Sequence, residues 1–138
     1  MKTADDFLSM NNRQLMAELC AGYPVDPAAL DDTEYKGVSL GLPAFIERLS
    51  WKTFQKTFHR DGETGDLRGW NVRLVQNGLH APCVPMKKNG EPFTFGHYRV
   101  VSTEGVTLPV RCEQGLLIDY GQGGNKRLDF IGKVRDPI

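Results

Sequence analysis

The sequence predicts an α+β domain in which N-terminal helices precede a curved antiparallel sheet or barrel. Three observations carry this prediction. Apolar residues fall at helical spacing near the N-terminus, the period is mostly two from Gly69 onward, and turn signals separate the later segments at short intervals.

Asn12–Ala21 places Leu15, Met16, Leu19 and Cys20 on one helical stripe, with Ser9 or Asn11 as its cap and Gly22 just past its end. Phe7 and Leu8 begin the same helix or a preceding turn. Asp26-Pro27 reads as a cap followed by a first helical residue, predicting one short turn through Leu30. Glu34–Leu40 reads as a strand, and a short helix is expected from Pro43 through Phe45, Ile46 and Leu49. Trp51–His59 fits either helix or strand, and Asp61–Asp66 is a polar loop. In the next strand Trp70, Val72 and Leu74 share one face, Asn71 and Arg73 the other. Lys88-Asn89-Gly90-Glu91 is a hairpin turn, because Asn-Gly suits the positive φ of a type I′ turn. By alternation, the strand Phe93–Val101 then sets Phe93, Phe95, His97 and Arg99 against Thr94, Gly96, Tyr98 and Val100. Val106–Cys112 is expected as an edge or bulged strand because it contains Pro109. Leu116–Tyr120, a flexible turn at Gly121–Gly124, and Arg127–Val134 read as a last hairpin.

The 138 residues make one domain, helical over about 3–30 and β-rich over about 34–138. The sequence stops just after a strand pattern, at Lys133–Ile138, which reads either as a fragment or as a strand closing against another chain. Seventeen basic and seventeen acidic residues balance to a net charge of +0, which argues against a nucleic-acid module or an electrostatic membrane-surface binder. No apolar run reaches the ~20 residues of a membrane span, and no apolar leader begins the chain. The odd cysteine count, Cys20, Cys83 and Cys112, reads as free thiols in a cytoplasmic protein. The histidines are too scattered for a zinc site, so neither metal nor cofactor is expected.

Trp51, Phe54, Phe58, Trp70, Phe93, Phe95 and Tyr98 come from consecutive elements. In a small barrel such rings either line a ligand cavity or simply fill the core. His97 shares the predicted face of Phe93, Phe95 and Arg99, where it would act as a base or as a structural histidine. Asp119 and Asp129 fall inside apolar strands; alternation turns both toward solvent and toward pairing with Lys126, Arg127 or Lys133.

Pro24–Phe58 resembles the N-terminal part of the GXWXG-type family of bacterial proteins of unknown function. The named motif falls on Thr33-Glu34-Tyr35-Lys36-Gly37, where Thr33 stands for the first glycine, Tyr35 for the tryptophan, and Gly37 matches. Leu49-Ser50-Trp51 and Lys56-Thr57-Phe58 resemble the following tryptophan and Lys-x-Phe elements. The resemblance implies a lipocalin-like barrel with an apolar interior. The order of elements also resembles the NTF2-like cone, whose members include isomerases, cyclases, dehydratases and binding subunits; this is an analogy of fold alone.

The leading functional expectation is a small-molecule binding protein holding an apolar or aromatic ligand, with Trp51, Phe54, Phe58, Trp70, Phe93, Phe95, His97 and Arg99 at the site. The alternatives are a cofactor-independent isomerase, cyclase or dehydratase using His97, Tyr98 and Asp119, and an interaction subunit acting through a homodimer.

Overall fold

The structure, a computed structural model, describes residues 2–40, 52–107, 115–126 and 130–138. Helices α1 (Ala4–Leu8) and α2 (Asn12–Cys20) each open with a reciprocal capping box, Thr3 with Asp6 and Asn11 with Gln14. The Asp26 carboxylate caps the 3₁₀ turn Pro27–Leu30 by accepting from Ala28 N–H at 2.9 Å. No helix among the described residues is long and apolar enough to cross a membrane.

Six strands form one antiparallel sheet in the order β1 (Thr33–Val38), β2 (Thr53–Arg60), β3 (Leu67–Arg73), β6 (Thr94–Ser102), β7 (Leu116–Asp119) and β8 (Arg135–Pro137). The hairpin β4 (Lys87–Lys88) and β5 (Glu91–Pro92) stands apart from it. Its turn has positive φ at both Asn89 (56°) and Gly90 (88°), the type I′ geometry that Asn-Gly favours. The sheet curls into a half-barrel. Trp51–His59 resolves as strand from Thr53 onward: its β-branched threonines alternate with Phe54, Lys56 and Phe58, and both edges find partners.

Two segments depart from expectation. Residues 130–133, expected in a strand, form a 3₁₀ turn, and the strand that pairs with β7 is Arg135–Pro137 instead. Val106 and Thr107 carry no strand. The helix expected from Pro43, together with Trp51, Cys112 and Asp129, lies outside the described residues, as does most of Val106–Cys112.

The core on the concave side gathers Leu30, Phe58, Leu67, Tyr98, Ile118 and Tyr120. Phe58 meets Tyr98 edge-on at 5.7 Å, and Tyr98 meets Tyr120 at 5.3 Å. The Tyr98 phenol crosses β3 to donate to the Thr57 carbonyl on β2 at 2.6 Å. It passes over Gly69, its register partner, where a Cβ would sit 1.9 Å from that carbonyl and 2.6 Å from the phenol oxygen. Gly69→Ala therefore forces either the strand pair or the buried Tyr98 to move. Urea titration should show a loss of roughly 3 kcal/mol or more. Gly62→Ala, in open space, should change stability by less than about 0.5 kcal/mol.

Candidate functional site

Directly paired residues of antiparallel strands share a face. Tyr35 pairs with Lys56 and Gly37 with Phe54. Phe54 in turn pairs with Arg73, and Lys56 with Asn71. These register partners place Tyr35, Phe54, Lys56, Asn71 and Arg73 on the concave face. Phe93 lies against Arg73, whose guanidinium carbon is 4.0 Å from the ring centre, and Phe95 pairs with Asn71.

Lys56 is the centre of this face. Its Nζ donates to Tyr120 Oη at 2.6 Å and to Asn71 Oδ1 at 3.2 Å. It lies 4.9 Å from the Tyr98 ring centre, 5.1 Å from Tyr120 and 5.5 Å from Phe54. The Tyr120 phenol accepts this bond and one from Asn71 Nδ2 at 3.4 Å, and Asp136 is close enough for its charge to act on both Tyr120 and Lys56. Burial among the rings pushes the Lys56 ammonium down to about 8, against the opposing pull of the Asp136 charge. Burial likewise pushes the Asp136 carboxyl up, opposed chiefly by the Lys56 charge. Both buried phenols are held well above the usual tyrosine range, chiefly by desolvation. The arrangement is an amine, a phenol and a carboxylate in sequence, with the amine in an aromatic shell.

The predicted site residues divide between two faces. Phe54, Phe93 and Phe95 reach the concave face and are half-buried. Phe58 and Tyr98 are buried in the core beneath it. His97 and Arg99 do not share the face of Phe95. The β3–β6 register shifts by one residue between Gly69 and Asn71, so Phe95 and Tyr98 lie on the same side and His97 lies opposite. His97 is exposed on the convex face, 6.1 Å from the Trp70 ring, which also stands 5.1 Å from His59. Arg99 reaches Asp66 there at 2.6 Å. Asp119, expected toward solvent, is buried because it caps the following turn. It accepts from Gly121 N–H at 2.8 Å and from Gln122 Nε2 at 3.0 Å, and meets Arg135 at 3.5 Å.

Two concavities lie elsewhere. A cleft of about 1050 Å³ runs between α2 and the β7–β8 end of the sheet, walled by Phe7, Leu15, Leu19, Tyr23, Leu116 and Ile138. A depression of about 720 Å³ on the convex face includes Trp70, Val72 and Cys83. In the sequence Lys56 figures only as part of a Lys-x-Phe element, and neither it nor Tyr120 nor Asp136 is expected at the site. The signal available was Lys56 itself, a charge between Phe54 and Phe58 at the two-residue period of one strand face.

The lowered lysine has a consequence for stability. Between pH 8 and the ordinary lysine range the unfolded chain holds the proton that folded Lys56 has released, so stability rises with pH in that window. Urea midpoints should climb from pH 8 to about 9.5, by no more than about 2 kcal/mol. The rise should vanish in Lys56→Met, which lacks the titrating amine. No family model, curated protein or solved structure matches the chain.

Proposed function

We propose that the chain is a small-molecule binding protein whose concave sheet face takes an apolar or aromatic ligand. The observation that carries this reading is a set of partly exposed rings around one half-buried cation. Tyr35 is 49% exposed, and Phe54, Phe93 and Phe95 are half-buried around Lys56 and Arg73. Apolar walls supply burial energy of about 25 cal/mol per Å², and a few convergent polar groups fix orientation. Here the orienting group is Lys56, held in place by the buried Tyr120 and Asn71, so the ligand presents an oxygen to it. The likeness to GXWXG-type proteins belongs to this reading, as does a cytoplasmic setting, in which the exposed thiols of Cys20 and Cys83 stay reduced. The catalytic alternative, cofactor-independent isomerisation, cyclisation or dehydration, passes from the exposed His97 to Lys56, whose lowered proton affinity fits a base at neutral pH.

Anilinonaphthalene sulfonate, an aromatic anion, is a suitable probe. Its affinity should fall about tenfold in Lys56→Met and in Phe54→Ala, a loss of about 1.4 kcal/mol each. Leu19→Ser, in the α2 cleft, should leave it within about twofold. The reverse pattern would move the ligand to the cleft and defeat the proposal.

A further inference from the structure

We propose that Lys56 is a carbonyl-condensing amine that forms an imine with an aldehyde or ketone group of the aromatic ligand. This rests on the reading of the concave face as a ligand site. Four features of the geometry support it. The amine stands within an aromatic shell made by Phe54, Tyr98 and Tyr120, which shields an imine from bulk water. The Tyr120 phenol is 2.6 Å from Nζ, close enough to exchange a proton with a group bonded there. On the strand beside β7, Asp136 sets a carboxylate charge that acts on both the amine and the phenol. Asn71 Oδ1, at 3.2 Å, orients the amine while Asn71 Nδ2 holds the phenol oxygen.

The chemistry balances without any further reagent. The neutral amine attacks the carbonyl carbon and forms a C–N bond. The carbonyl oxygen takes the Tyr120 proton, and Tyr120 regains one from nitrogen. The resulting carbinolamine then breaks its C–O bond. Its hydroxyl leaves with a proton as water, and nitrogen gives up its remaining proton through Tyr120 as the C=N bond forms. One amine and one carbonyl compound become one imine and one water; nothing is oxidised or reduced.

The groups facing Lys56 are Tyr35 on β1, Asn71 on β3, Tyr98 on β6, Tyr120 after β7 and Asp136 on β8. With the ammonium lowered to about 8, far more of Lys56 is neutral at pH 7.5 than of an ordinary lysine. Lys52, exposed just before β2, is the internal comparison.

The test treats the whole chain with benzaldehyde and sodium cyanoborohydride at pH 7.5 and locates adducts by peptide mapping. Each adduct adds the aldehyde's mass less one oxygen atom. Lys56 should be labelled roughly tenfold or more faster than Lys52. The preference should disappear in urea, and Tyr120→Phe should slow the labelling of Lys56 without slowing that of Lys52. Displacement of anilinonaphthalene sulfonate by benzaldehyde is read in parallel. Displacement with no preference for Lys56 overturns the imine and leaves the binding reading standing. Neither displacement nor preferential labelling overturns both. Because mapping locates the adduct in the parent chain, the result does not depend on a variant that must fold.

Discussion

The β-bulge at Gly96 sets the character of both faces of the sheet. One residue is gained on β6 between the Gly69–Tyr98 and Asn71–Phe95 pairs, so the strand changes sides at that point. Gly96 adopts φ of 53°, and a Cβ there would lie 2.5 Å from the Ile131 side chain and 2.9 Å from Asn71 Nδ2. Only glycine accepts both the left-handed backbone and that close approach. Asn125 then clasps the bulge. Its Oδ1 accepts from His97 N–H at 2.9 Å, while its Nδ2 donates to the carbonyls of His97 and Tyr120, each at 2.7 Å. The glycine-rich segment Gly121–Gly124, expected as a flexible turn, is thereby tied to β6 and positions the Tyr120 phenol.

A second consequence is electrostatic segregation. The convex face carries solvent-screened ion pairs, with Asp66 between Arg68 and Arg99 and Asp61 beside Arg68. The concave face carries Lys56 and Asp136, both half-buried, with Tyr120 bonded to Lys56. A charged pair in such surroundings is weak evidence for stability, since desolvation offsets much of the attraction.

The sequence by itself determined the elements whose causes are local. The capping boxes of α1 and α2, the Asp26-Pro27 turn, the Asn89-Gly90 hairpin and the alternation of β3 all depend on neighbours within a few residues. The α+β class and the antiparallel curvature follow from them. The tertiary structure decided whatever rests on an atom supplied by a distant strand. The bulge at Gly96 depends on Ile131 and Asn71, so simple alternation put His97 and Arg99 with Phe95 and gave the wrong face. The choice of Arg135–Pro137 over residues 130–134 as the strand beside β7 was made by pairing with β7, which local propensity does not contain. The site shows the same division. Phe54, Phe93 and Phe95 were legible because rings on a strand face announce themselves. Lys56, Tyr120 and Asp136 were not, because a lysine becomes chemically unusual only when rings from distant parts of the chain enclose it and a phenol 64 positions away receives its hydrogen bond.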